Sequence, residues 1–213
     1  MSQQESALSN GCPQPWCRYA PTCATDKGKC SGTSFIDSTS LKVCHNRRIS
    51  GHRVFKSLAT RGKTSVDWFF GFKLHLVVNE RGELLNAIVT PGNTDDRQPV
   101  GELLGGMFGN VFGDRGYISQ ALCAQLRQES KIHLITKVRR KMKNRLMRLS
   151  DKLLLQRRGL IESVIDQLKN IAQIEHSRHR SPLNFAVNLM AGLIAYCHQP
   201  QKPSLVNDAA LPA

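Results

Sequence analysis

"WFFGFKLHLVVNERGELLNAIVTPG", residues 68–92, is the stretch on which the fold turns. In its first half Phe72, Leu74, Leu76 and Val78 alternate with Lys73 and His75, the two-residue period of a half-buried strand. "ELLNAIVTPG" (83–92) continues as a second strand, and the intervening "ERG" (80–82) is short enough for a tight turn, so the pair reads as an antiparallel hairpin. Working outward, "SFIDSTS" (34–40) is a short strand ahead of the hairpin, and "NVFGDRGYI" (110–118) is a buried strand behind it that ends in a glycine-flanked aspartate. "KIHLITKV" (131–138) makes a fifth. Between them "NTDDRQPVGELLGGM" reads as a capped short helix, Ser119 caps "SQALCAQLRQES", and helices over 152–172 and 183–198 close the core. The order predicts an α/β domain, a mixed five-stranded sheet flanked by helices.

At 213 residues the chain holds one full-sized core with appendages. We expect residues 1–30 to be a poorly ordered tail rich in Pro, Gly, Ser and Cys, residues 31–200 to be the domain, and residues 201–213 a second tail. A hydrophobic content of 40% with 22% charged residues excludes wholesale disorder and fibrous folds. The charge is the unusual property: thirty Lys and Arg against sixteen Asp and Glu give +14, the balance of a protein that meets a polyanion, most often nucleic acid. No basic segment followed by an apolar run opens the chain, and the longest apolar stretch, "NFAVNLMAGLIAYC" (184–197), is too short to cross a bilayer and carries Asn188. These features predict a cytoplasmic protein that does not engage a membrane. Cys12, Cys17, Cys23 and Cys30 crowd the first thirty residues without a Cys-x-x-Cys pair, so free thiols are expected rather than zinc or disulfides.

Three carboxylates stand where stability alone would not place them. Asp37 interrupts an apolar strand, Asp114 ends the "VF" strand in "GDRG", and Glu162 lies beside the apolar stripe Ile161, Val164, Ile165 and Leu168 of "RRGLIESVIDQLKN" (157–170). Each has a local explanation: an Asx-type bond to the following Ser and Thr for Asp37, a turn for Asp114, and a solvated stripe with an Arg158–Glu162 pair for the helix. Were the first and fourth strands neighbours, however, Asp37 and Asp114 would lie side by side, and a helix packed there would bring Glu162 to the same point. Converging carboxylates repel unless hard divalent cations neutralise them, and two Mg²⁺ ions about 3.5–4 Å apart suit cleavage of a phosphodiester.

On these residues the chain resembles a known family. "FIDST", "GDRGY" and "RRGLIESVIDQLK" are similar to the D, D and E motifs of DDE transposases from bacterial insertion sequences, whose catalytic domain has the RNase H-like fold. The family's signature Arg four residues before the Glu and Lys seven after it correspond to Arg158 and Lys169; its customary Tyr falls at Leu155, a departure. "VCHNRRISGHRVFKSLATRGKTSVDWFFGFKLHL" and "DQLKNIAQIEHSRHRS" resemble most the insertion-sequence nine-eighty-two family, over about Cys30 to Leu205. The resemblance implies a bacterial transposase that cleaves the element's ends and joins them to target DNA. It further implies Asp37, Asp114 and Glu162 as catalytic metal ligands, two Mg²⁺ ions with Mn²⁺ as substitute, a homo-oligomer on DNA, and a usual N-terminal end-recognition region that is not evident here.

The basic residues expected to hold DNA are Arg47, Arg48 and Arg53 in the loop after Asp37, Lys137, Arg139, Arg140, Lys141 and Lys143 in the irregular basic segment, Arg158 and Lys169 on the late helix, and Arg178 and Arg180 beyond it. Asp95 and Asp96 are adjacent carboxylates whose side chains should diverge, and "TPGNTDDR" reads as turn and helix cap. His176 and His179 read as part of a phosphate-facing cluster. Two other functions fit the same residues: a catalytically silent DNA-binding fragment, or a metal-dependent nuclease of the same fold.

Overall fold

The computed structural model describes residues 28–64, 67–137, 146–175 and 179–205. Its strands are β1 (Thr33–Cys44), β2 (Thr60–Lys63), β3 (Trp68–Asn79), β4 (Leu84–Pro91), β5 (Gly109–Gly113) and β6 (Ile132–Thr136). Its helices are α1 (Val100–Leu103), α2 (Gln120–Ser130), α3 (Leu149–Gln156), α4 (Gly159–Asn170) and α5 (Pro182–Cys197). The strands form one mixed sheet in the order β2-β3-β1-β5-β6, with β4 also paired to β3. Antiparallel pairing joins β3 to β1, β2 and β4, whereas β1–β5 and β5–β6 are parallel. This is the mixed α/β arrangement of an RNase H-like fold.

The predicted hairpin is β3–β4, and Asn79 builds its turn. The Asn79 side-chain oxygen accepts from the backbone N–H of Arg81 and of Glu83, both at 3.0 Å, so the turn is closed by a buried side chain as well as by the chain itself. Gly82 completes it with φ +69°, and a Cβ there would stand 2.0 Å from the Pro203 carbonyl oxygen. The Tyr196 hydroxyl donates to the Gly82 carbonyl at 2.6 Å, tying the end of α5 to the same turn.

β1 is longer than the predicted short strand because it pairs with β3 from Ser34↔Asn79 to Cys44↔Phe70. A sixth strand, absent from the expectation of five, is β2: "TRGK" carries no apolar residue, and backbone pairing to Trp68–Gly71 alone defines it. The late helix is two helices, α3 and α4, parted at Arg157 and Arg158, with the poor helix former Gly159 opening the second. Ser119 caps α2 as expected, accepting from Leu122 N–H at 3.3 Å.

Alternate residues of the central strands serve two cores. Phe35, Phe72, Leu74, Leu76 and Phe112 pack with Ile161, Val164 and Leu168 of α4 and Phe185, Leu189 and Leu193 of α5. On the opposite face Ile36, Val77 and Val111 pack with Val100 and Leu103 of α1 and Leu126 of α2. A sheet covered on both faces explains why adjacent residues are both buried in β1, Phe35 with Ile36, and in β5, Val111 with Phe112.

Gly82→Ala is expected to destabilise the chain by more than about 1 kcal/mol, because the new Cβ meets both an unfavourable φ and the Pro203 carbonyl. Urea unfolding at constant slope measures it; an unchanged midpoint would mean that this turn bends freely.

Candidate active site

β1 and β5 run parallel with Phe35 opposite Phe112, so residues two positions further along, Asp37 and Asp114, reach the same level of the sheet. Asp37 lies within β1 and Asp114 just past the end of β5, exposed at the start of a 3-10 turn over Arg115–Tyr117. Both follow the parity of Phe35 and Phe112 and therefore belong to the sheet face covered by α4.

From that helix comes the link between the carboxylates. Arg158 Nη1 donates to Asp37 Oδ2 at 3.1 Å and its Nη2 to Glu162 Oε1 at 2.9 Å, joining a strand to a helix 121 residues later in the chain. What orients α4 is its apolar stripe. Leu160, Ile161, Val164 and Leu168 are all buried, each such burial contributing about 1.5–3 kcal/mol, whereas a surface pair of the Arg158–Glu162 kind contributes about 0.3–0.5 kcal/mol. The stripe sets the rotation of the helix, and the rotation delivers Arg158 and Glu162 to Asp37.

The electrostatics of Asp37 record what surrounds it. Its carboxyl is pushed up to about 6, chiefly by burial; Arg158 and the Ser38 N–H, which donates to Oδ1 at 2.8 Å, pull it down, while the charges of Asp114 and Glu162 push it up. Burial and two like charges outweigh one guanidinium. The local Asx-type bond anticipated for Asp37 is thus present together with the long-range ion pair.

Ser38 and Asp96, which the sequence marks only as an Asx-bond partner and a turn residue, meet across the fold. The Ser38 hydroxyl points to the opposite sheet face and donates to Asp96 Oδ1 at 3.0 Å, which also takes Lys73 Nζ at 3.0 Å. Lys73 binds the Thr94 carbonyl at 2.8 Å, and the fully buried His75 approaches Asp96 at 4.0 Å, its ring pushed down to about 4 chiefly by burial. Asp95 diverges as expected: it accepts from the Arg97 backbone and guanidinium, and those hydrogen bonds hold its carboxyl down at about 2. Asp96, one residue on, fastens the segment after β4 to the strand that carries Asp37. The available signal was Lys73 and His75, two polar residues on the inner face of an otherwise apolar strand.

The remaining predicted residues lie away from the three carboxylates or serve the fold. Lys169 is tied down, donating to the Ser40 carbonyl at 2.7 Å and pairing with Glu175 at 2.8 Å. Arg47, Arg48, Arg53, Lys137 and Arg180 are exposed. Arg139, Arg140, Lys141, Lys143 and Arg178 lie outside the described residues, as do Cys12, Cys17 and Cys23. Asp166 is exposed and accepts from Asn170 at 2.6 Å. Among the described residues no helix is long and apolar enough to cross a membrane.

The RNase H-like sheet brings Asp37 level with Asp114 and, through Arg158, next to Glu162. The transposase DDE domain model matches residues 27–182, and the chain belongs to that family. No curated protein and no solved structure matches it. Domains of this family generally use divalent metal ions. The donor set here suits hard cations, being carboxylate oxygens, with Asp37 raised chiefly by burial and further by the charges of Asp114 and Glu162. Among the described residues no three acidic, His or Cys side chains stand together as a ready metal cluster, for Arg158 takes one oxygen each of Asp37 and Glu162, and the Glu162 side chain is 61% exposed.

The raised Asp37 pKa has a definite sign. The folded chain keeps a proton that the unfolded chain loses near its ordinary 3.8, so the stability associated with this proton is full below that value and is lost as pH rises through about 6. In EDTA, wild type should therefore lose about 2 kcal/mol relative to Asp37→Asn between pH 4 and pH 7. Parallel pH–stability curves for the two proteins would show that Asp37 is not held in this environment.

Proposed function

We propose that this chain catalyses DNA transposition as an insertion-sequence transposase of the nine-eighty-two type, cleaving DNA at the element's ends and transferring the freed strand into target DNA. Asp37, Asp114 and Glu162 are the catalytic carboxylates and would hold two Mg²⁺ ions, or Mn²⁺ in their place. The observation that carries this reading is the Arg158 guanidinium shared by Asp37 and Glu162, with Asp114 at the same sheet level. Bound divalent cations supply charge neutralisation and activation of the attacking oxygen. The protein's own share is positioning.

In that division of labour Asp37 is the fixed carboxylate, held on a central strand by Ser38 and Arg158. Glu162 is the adjustable one, exposed and attached through Arg158 alone. Arg158 keeps the acidic cluster intact in the resting protein and offers a cation to a substrate phosphate when a metal takes over the carboxylates. Lys169, committed to Ser40 and Glu175, secures α4 against β1. The DNA contacts fall to Arg47, Arg48, Arg53, Lys137 and Arg180, and we assign the same role to Arg139, Arg140, Lys141, Lys143 and Arg178, which lie outside the described residues. A homo-oligomer on DNA would bring two such sites to the two ends of an element.

The test is cleavage and strand transfer by the purified chain on labelled DNA bearing the element's ends, with Mg²⁺ or Mn²⁺. Asp37→Asn, Asp114→Asn and Glu162→Gln should each lower both steps by several orders of magnitude while DNA binding persists. Asp166→Asn, one turn further along α4, should cleave normally. Normal cleavage by Glu162→Gln with loss in Asp166→Asn would move the third ligand to Asp166.

A further inference from the structure

Some 20 Å along β1 from Asp37, taking about 3.3 Å per residue over the six residues to Val43, the strand leads into a cleft of quite different character. Its volume is about 830 Å³, within the range of about 300–1,000 Å³ that encloses small organic ligands. Val43, Cys44 and Val54 give it apolar walls; His45, Arg47, Arg48, His52, His179 and Arg180 give it polar ones, and among the described residues no carboxylate lines it.

Two observations point to a ligand. Arg47, Arg48 and Arg180 have no side-chain hydrogen bond or ion pair among the described residues, whereas Arg97 and Arg158 are both paired with carboxylates. Three uncompensated guanidiniums around one cleft hold a site for an anion. Second, His52 is fixed by its ring, stacked on Phe55 at 5.7 Å with a 4° interplanar angle and edge-on to Phe70 at 6.0 Å, yet its buried Nε2 has no hydrogen-bond partner among the described residues. A polar group entering the cleft would satisfy it.

Next to the cleft stands Trp68. It lies two residues from Phe70 on the same strand face, and its carbonyl takes the Asn46 side-chain N–H at 2.8 Å, which holds the start of β3 against the Asn46–Arg48 turn. Its side chain is 56% exposed, and Lys63 Nζ sits 5.6 Å from the ring centroid. An exposed aromatic face beside a cationic cleft is the combination that binds single-stranded nucleic acid: bases stack, phosphates pair. A duplex would press its phosphates on the exposed arginines but could not bring a polar edge to the buried His52 nitrogen.

We propose that this cleft binds an unpaired nucleotide of DNA, with its phosphate among Arg47, Arg48 and Arg180, its base against the apolar wall and His52 Nε2, and the neighbouring base on Trp68. The site is separate from the carboxylates; its place in a reaction rests on the transposase reading, its binding does not. A DNA end handled by the enzyme would then be opened, not gripped as an intact helix.

The experiment is done on the full chain in EDTA, so that no strand is cut, in a Trp16→Phe background that leaves Trp68 as the one tryptophan. A twelve-residue oligothymidine and a blunt duplex of the same length are titrated at equal salt. The single strand should quench Trp68 emission and bind about tenfold tighter than the duplex. His52→Ala should weaken single-strand binding about tenfold and leave duplex binding within about twofold, whereas Arg47→Ala with Arg48→Ala should weaken both, single-strand binding by about tenfold and duplex binding by less. Thermal melts identify any variant that fails to fold, and the exposed double-arginine variant keeps the test open if His52→Ala does. Equal affinity for single strand and duplex would overturn the proposal, as would competition by inorganic phosphate as effective as that by thymidine monophosphate, which would mark a plain anion site. Loss of cleavage-site function in the carboxylate variants leaves these affinities untouched, so the two readings fail separately.

Discussion

The ion pair between Arg158 and Asp37 is the interaction on which the arrangement of the candidate site depends, because Asp37 sits in a central strand covered on both sheet faces. An isolated buried carboxylate there would be costly, and its charge partner must come from a distant element, since Ile36, Ser38 and Leu76 beside it carry no cation. The guanidinium suits this task better than an ammonium would: its fork reaches Asp37 with one nitrogen and Glu162 with another. Even so, burial and the neighbouring acids leave the Asp37 carboxyl well above its ordinary value. Burial is the larger cause, and the charges of Asp114 and Glu162 add to it against the single guanidinium.

β1 carries that constraint on both its faces. Asp37 meets Arg158 on the α4 side while Ser38, the next residue, meets Asp96 and through it Lys73 on the other. Alternation along a strand makes this possible: neighbouring residues project oppositely, so one dipeptide is held by two separate polar networks. The Ser38 backbone N–H closes the connection by donating to Asp37 itself. Displacing β1 by one residue would exchange the two networks and place Asp37 against the α1–α2 core, so the polar contacts and the apolar alternation enforce the same register.

Sequence periodicity revealed what periodicity can encode. The hairpin, the buried strands before Asp114 and after α2, and the amphipathic α4 all follow from alternation or a 3.6-residue stripe, and the three carboxylates were visible as acids in the wrong places. β2 escaped because "TRGK" forms its ladder through backbone groups that leave no side-chain pattern. The break at Arg157–Arg158 escaped because apolar spacing continues across it, and only Gly159 hints at the interruption. Asp96 was legible as a turn residue beside Asp95, but its partners Ser38 and Lys73 are 58 and 23 residues away and no local rule connects them.

The net charge of +14 also means something narrower in the fold than in the composition. Lys73, Arg97, Arg158 and Lys169 are each bound to an acid, so their charges are neutralised locally and contribute little field beyond the pair. Arg47, Arg48 and Arg180 have no such partners among the described residues and converge on one cleft. Counterion release on binding DNA comes from cations that are free to meet phosphates, so the unpaired clusters, more than the total, govern the strength and salt dependence of the interaction. The paired cations build the protein, and the unpaired ones mark where a polyanion is to lie.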